Sequence, residues 1–420
     1  MDPARRQQLR DIWRAALLED VVPFWERHGV DHEYGGFLTC LDRAGQLYST
    51  DKPVWFQGRG TWLFATLYDR VEARPQWLAI AQRGAEFLAR HCFAPSGKMY
   101  FLVTRDGQPL RMRRYVFSEV FATLALAALG KATRDPVTCR RAGEVFESFV
   151  RYTQTPGLIE PKLNPTVRPL KSLSPRMCLL NLADTLAATA EAVPGSGLRE
   201  SAHYEQIIDD CIAEIFRDFV KTADGYVLEY VMPDGTPIDA PEGRVMNPGH
   251  ALEVAWFILE VVRRRRAKTG SVGGSAAAPA QDGKLLAGAC RIIDLSLERG
   301  WDQEYGGLLY FVDVHGRPPT QLEHDMKLWW PHSEALYATL LAYAMTAELR
   351  YAQWYERIHE WTLAHFPDPQ FGEWFGYLHR DGTVSTPLKG GIWKGPFHIP
   401  RAMLYCWKLL EELSARGGAA

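Results

Sequence analysis

Apolar residues recur at three- and four-residue spacing along most of this chain. The spacing predicts helices over 61–71, 77–90, 118–130, 144–151, 179–192, 250–265, 285–298, 333–349, 352–365 and 400–413. The N-terminal stretch mixes charged and apolar residues, which reads as an amphipathic helix and not as a signal peptide. Between the helices the period changes to two. Segments beginning at Gly35, Gly97, Gly225, Gly306 and Gly372 alternate apolar and polar residues about a glycine turn. The turns fall at Ala44-Gly45, Asp106-Gly107, Asp234-Gly235, His315-Gly316 and Asp381-Gly382. Asp-Gly between alternating runs is a hairpin signal.

The repetition sets the fold class. Strands closed locally by tight turns disfavour an open βαβ sheet. An irregular sixth unit occupies 157–177, where Pro, Lys and Arg replace the hairpin pattern. Units of two helices with a hairpin or loop between them predict an all-α (α/α)6 barrel, with the short β-hairpins gathered at one end. The whole chain, 1–420, forms one catalytic domain in this reading. The alternative, an open helical solenoid, needs polar capping repeats that the sequence lacks. Gly, Ser and Ala crowd 267–284, which is expected to be a flexible inserted loop.

Composition narrows the function. The formal net charge is −2, which gives no general attraction to nucleic acid or anionic membrane. No apolar run is long enough for a bilayer. The 7 cysteines show no CxxC pair, so neither a disulfide framework nor a zinc site is expected, and the cytoplasm is the simplest location. No GxGxxG, P-loop, HExxH or GxSxG motif occurs, so no nucleotide-cradling loop, metal site or serine nucleophile is expected. Aromatics make up 12% of the chain, enough both to fill a core and to line a pocket.

Short motifs rich in Trp, Arg, His and Glu follow the hairpins: Trp55-Phe-Gln-Gly-Arg59, Phe117-Ser-Glu119, Asn247-Pro-Gly-His250, Trp329-Trp330-Pro-His-Ser-Glu334 and Phe397-His398-Ile-Pro-Arg401. If the units repeat in space, these motifs converge on one pocket. Asn247 is a favoured N-cap and Pro248 a favoured first helical residue, so His250 lies in a first turn. The helix dipole there disfavours imidazolium, leaving the neutral ring that a general base requires. Glu253 shares the face of His250, as does Trp256 or Phe257. Pro400 predicts a helix starting just after His398. His332 and Glu334 lie two apart and cannot both face the pocket, which favours Glu334. Paired carboxylates for glycoside hydrolysis remain an alternative, although the motifs offer histidines and an arginine instead.

These motifs resemble the N-acylglucosamine 2-epimerase (renin-binding protein) family along nearly the whole chain. The similarity includes Asn247-Pro-Gly-His-Ala-Leu-Glu-Val-Ala-Trp-Phe, Gln321-Leu-Glu-His-Asp-Met-Lys-Leu-Trp-Trp-Pro-His-Ser-Glu, Asp368-Pro-Gln-Phe-Gly-Glu and Phe397-His-Ile-Pro-Arg. It implies catalytic histidines at His250 and His398, a pocket arginine at Arg59 and a functional glutamate at Glu334. Glu253, Trp330, Trp393 and Asn181 complete the expected substrate-binding set, and no metal or cofactor is required. A homodimer and ATP as an effector, not a reactant, are further implications. The 270–283 insertion and Arg176 depart from the family pattern, and Arg176 is a candidate rim or effector contact.

The implied chemistry is removal of the C2 proton of an open-chain sugar, giving an enediolate, and return of a proton to the opposite face. Two histidines on separate helices supply the two faces. Arg59 and helix N-termini hold the oxyanion, and Glu253 and Glu334 orient a histidine or hydroxyls. Aldose–ketose isomerisation, cellobiose or mannose 2-epimerisation and a non-catalytic renin-binding-like role are the competing readings.

Overall fold

The computed structural model describes residues 1–112, 115–160, 163–268 and 280–417. An outer and an inner layer of helices alternate along the chain. The outer helices are α1 (Pro3–Ala15) continuing through a π-helical stretch (Ala16–Val21) into α2 (Val22–His28), then α4 (Pro75–His91), α6 (Pro136–Gln154), α8 (Ser201–Glu214), α10 (Ala280–Gly300) and α12 (Leu349–His365). The inner helices are α3 (Val54–Arg70), α5 (Phe117–Thr133), α7 (Leu173–Ala192), α9 (Pro248–Lys268), α11 (Trp329–Thr346) and α13 (His398–Gly417).

Burial explains the layering. α4 buries one stripe only: Trp77, Ile80, Ala81, Gly84, Phe87 and Leu88. α11 buries every residue from Trp329 to Ala342. A helix apolar all round belongs between two layers. This is also why the inner helices start earlier than their periodicity predicts. Their first turns are buried but polar, as in Gln57 and Arg59, so no amphipathic stripe marks them. α8 was not expected, because its stripe of Tyr204, Ile208, Cys211 and Ile212 is short. The 267–284 expectation needs correction. Residues 267–268 end α9 and 280–284 begin α10, while 269–279 lie outside the described residues.

The hairpins gather at the N-terminal ends of the inner helices. Their turns are three-residue loops, with Thr104 N donating to Gln108 O and Gly107 N to Thr104 O. Only the glycine adopts positive φ, +95° at Gly107, which a residue with a side chain rarely does. The strand before an inner helix then pairs antiparallel with a later hairpin. Lys52–Pro53 joins Leu102–Val103, and Lys327–Leu328 joins Tyr377–Leu378.

A buried ion cluster repeats at these joins. Asp31 accepts from Lys52 (2.8 Å) and Arg105 (3.0 Å), Asp302 from Lys327 (2.9 Å) and Arg380 (2.8 Å), and Asp368 from Lys389 (3.0 Å) and Arg43 (2.8 Å). Burial alone would raise Asp31, but bonds from Arg105 and Lys52 outweigh it and bring its pKa down to about 2. The Arg43–Asp368 bond ties the first hairpin to the last unit. Backbone bonds from Lys389 N and Gly390 N to Leu41 O run beside it. The helices therefore close into a ring, which rules out the open solenoid. Among the described residues no helix is long and apolar enough to cross a membrane.

Candidate active site

A cavity of about 730 Å³ opens at the hairpin end of the barrel axis. His250, His398, Arg59, Glu253, Asn181, Trp330 and Trp393 all line it. The convergence expected from the motifs is therefore present in space.

His250 is the third residue of α9. Its backbone N donates to Asn247 Oδ1 at 3.0 Å, the cap that the sequence suggested. Its ring Nδ1 lies 3.0 Å from Glu229 Oε2. Glu229 sits in the hairpin before α9 and is 5% exposed. Sequence reasoning missed it and named only Glu253 and Glu334 as the acids that orient a histidine or hydroxyls. Its one signal was a lone acid inside the apolar run Tyr226-Val-Leu-Glu-Tyr-Val231.

His398 opens α13. The helix starts at His398 itself, two residues before Pro400. Nδ1 lies 2.6 Å from Glu334 Oε1. Glu334 is 2% exposed, behind His398, and its second oxygen accepts from Trp256 Nε1 at 2.8 Å. Arg401 donates to Glu334 at 2.8 Å and to Glu253 at 2.5 Å. Glu253 is thus the counter-ion of Arg401 and not the partner of a histidine. Glu253, Glu334 and His398 offer ligand atoms within 4.8 Å of one another, a spacing that suits a metal ion. The Arg401 guanidinium already bridges the two carboxylates, so this donor set fits a buried salt bridge better than a cation.

Carboxylates at both Nδ1 positions imply Nδ1–H tautomers with Nε2 directed to the cavity. Burial, then Arg59 and Arg401, hold His398 well below the ordinary histidine pKa, so its ring is neutral. Trp330 packs against both histidines, its ring centroid 5.1 Å from His250 and 5.8 Å from His398. Gly249 permits this placement, since a Cβ there would meet the Trp330 ring at 2.5 Å.

Arg59 Nη2 is 3.4 Å from His398 Nε2. Its guanidinium carbon sits 3.9 Å from the Phe121 ring centroid, and its Nε has no partner among the described residues. Burial, then repulsion from Arg401, brings its pKa down to about 9, so it remains a cation at neutral pH. A desolvated cation in the cavity lining suits an oxyanion. Trp393 stands at the rim, 36% exposed, against Trp55 and Phe101. Asn181 and Cys178 line the cavity from α7.

Other motif residues serve the scaffold. His332 is fully buried, accepts from Leu308 N at 2.9 Å and faces away from the cavity. Glu119 accepts from Met99 N at 3.2 Å, while Phe117 reaches the cavity wall. Arg176 pairs with Glu214 at 2.8 Å and does not line the cavity.

Fold and cavity define a class: an (α/α)6 barrel enclosing a cavity with two carboxylate-bound histidines. The sequence profile described as N-acylglucosamine 2-epimerase (GlcNAc 2-epimerase) matches residues 36–402. The N-acylglucosamine 2-epimerase of Bos taurus is 38% identical over 98% of this chain and 94% of its own length. The chain belongs to that family and is a carbohydrate epimerase, an enzyme of the isomerase class. The cellobiose 2-epimerase of Spirochaeta thermophila DSM 6192 superposes with a TM-score of 0.80 at 21% identity, covering 98% of each chain. A D-mannose isomerase superposes at 0.76 with 18% identity, over 96% of this chain and 97% of the other. These two likenesses bear on the fold.

Proposed function

We propose that this enzyme interconverts N-acyl-D-glucosamine and N-acyl-D-mannosamine by proton transfer at C2, with His250 and His398 as the acid/base pair. One observation carries the reading. Two imidazoles from different helices pack against one indole in one cavity, each with its Nδ1 within hydrogen-bond distance of a buried carboxylate.

The C2 proton of the open-chain sugar lies α to the C1 carbonyl. One neutral Nε2 removes it, and the C–H electron pair moves through C1–C2 onto the carbonyl oxygen. The resulting enolate oxygen is stabilised by Arg59. The opposite imidazolium then delivers its proton to the other face of C2, the carbonyl re-forms, and the two rings have exchanged roles. Glu229 and Glu334 stabilise whichever imidazolium is present and fix its tautomer. Asn181, Glu253, Trp330 and Trp393 contact the sugar. We read the protein further as a cytoplasmic homodimer that needs no metal or cofactor, with ATP acting only as an effector.

The test is NMR of products from N-acetylmannosamine, mannose and cellobiose in deuterated water. N-acetylglucosamine carrying deuterium at C2 is the expected product. Retention of the C2 proton excludes the enolate route. Fructose from mannose, with no N-acyl turnover, moves the assignment to aldose–ketose isomerisation. Turnover of cellobiose alone moves it to that epimerase, and no turnover of any sugar moves it to a binding protein.

A further inference from the structure

The proposed reaction passes through a stage at which both histidines are cations. Before proton transfer one ring holds a proton and the other is neutral. The neutral ring then takes the C2 proton while the opposite ring still holds its own. Two imidazoliums at that point share one cavity with the enolate. Glu229 serves His250 at 3.0 Å, and Glu334 serves His398 at 2.6 Å. What the two rings have in common is Trp330.

Trp330 stands in the first turn of α11 and lines the cavity, 8% exposed. Its ring plane is inclined by 38° to that of His250 and by 43° to that of His398, so neither imidazole meets it at the right angle of an edge contact. A cation within about 6 Å of an aromatic centroid is attracted to the negative ring face, and indole attracts most strongly. Both separations, 5.1 and 5.8 Å, fall inside that limit. The indole is also held in place. Gly249 gives it room on one side, and the Tyr310 ring packs on it at 5.9 Å and 85°. The charged groups nearby do not replace it. Glu253 is tied to Arg401, which also donates to Glu334. Arg59 Nη2, 3.4 Å from His398 Nε2, repels an imidazolium. Glu323 is the remaining acid of the cavity wall among the described residues.

We infer that Trp330 is a positioning residue that acts through both histidines, as a shared cation–π support for the doubly protonated stage. The inference rests on the proposed C2 epimerisation and goes beyond any contact of the indole with the sugar. The ground state sets one imidazolium against the indole and the enolate stage sets two. The attraction is therefore larger at the enolate stage, and it lowers the barrier in both reaction directions alike. A quadrupole does this without the full negative charge that would hold the base permanently protonated.

The test replaces Trp330, in the full-length enzyme, with tryptophans carrying successively more ring fluorines. These drain negative charge from the ring face and keep its shape, so folding is not at issue. The expected result is a stepwise fall in kcat with each fluorine, equal for N-acetylmannosamine and N-acetylglucosamine and reaching about tenfold. Both limbs of the kcat/KM pH profile should also move to lower pH, by about half a unit to one unit, because each imidazolium gives up its proton more readily. Trp330→Phe should fall on the same trend. A role in sugar stacking alone raises KM and leaves both limbs fixed. That result overturns the inference, as does a kcat that ignores fluorination or a shift of one limb only, and each leaves the epimerase assignment standing. Wild-type enzyme that exchanges the C2 proton of no sugar overturns both.

Discussion

The two histidines are supported in different ways. His398 leans on Glu334, which stands on an inner helix and also binds Trp256 and Arg401. His250 leans on Glu229, which stands in a hairpin. Backbone bonds from Glu229 N to Val245 O and from Leu173 N to Glu229 O fix that hairpin between neighbouring units. One support is a side-chain network inside the barrel wall. The other is a strand position held by its neighbours' backbones. The same chemical need, a carboxylate at Nδ1, is met by helix packing in one case and by local pairing in the other.

The strongest test of their equivalence removes the rings. His250→Ala and His398→Ala should each lower kcat by at least ~10²–10⁴-fold, measured in both reaction directions. Wild-type turnover in either variant breaks the two-base reading outright.

The carboxylates should separate the pair. Glu334→Gln and Glu229→Gln should each lower kcat by about 10²-fold through loss of the tautomer and of imidazolium stabilisation. Only Glu334→Gln should also lower folding stability substantially, by up to about 3–5 kcal/mol, because it removes a buried counter-ion of Arg401. Chemical denaturation of both variants reads this difference. Equal destabilisation would make the two supports alike after all.

A smaller, diagnostic effect lies in the pH profile. His398 must be neutral to accept a proton, and burial with Arg59 and Arg401 holds its pKa well below 6.5. Glu334, Glu253 and His250 are the other ionisable groups around it. The acid limb of kcat/KM that belongs to His398 should therefore fall below pH 6.5. Arg59→Met removes one of the two repelling cations, so the limb should move upward even as overall activity drops. Folding stability carries the same sign. Below about pH 6.5 the unfolded chain takes up a proton that the buried ring refuses, so stability falls as pH falls. A limb that stays fixed in Arg59→Met assigns the control of His398 to burial and Arg401.

The contrast also shows what was readable in advance. Asn247, Pro248 and His250 form a cap and first turn whose geometry is local, so the sequence placed His250 correctly. Trp330 and Glu334 were legible as one helical motif, but Glu334, favoured for the pocket, lies behind His398 and is not part of the cavity lining, and His332 does not line it either. Glu253 was read as orienting a histidine or hydroxyls, and its pairing with Arg401 went unforeseen. Helical spacing says which side a residue faces, not which charge from another helix reaches it, and Arg401 reaches Glu253 first. Glu229 was hidden for a similar reason. Nothing within its own hairpin shows that a histidine 21 residues later will fold back onto it.

The sequence by itself determined the alternation of helices and glycine turns, the polar first turns of the inner helices and the residue types gathered there, because these depend on spacing and local backbone preference. Only the tertiary structure decided that the ring closes through Arg43 and Asp368, which carboxylate serves which histidine, and that Arg401 fills the space between two acids. Those outcomes depend on distances between residues far apart in the chain, and such distances exist only once the layers have packed.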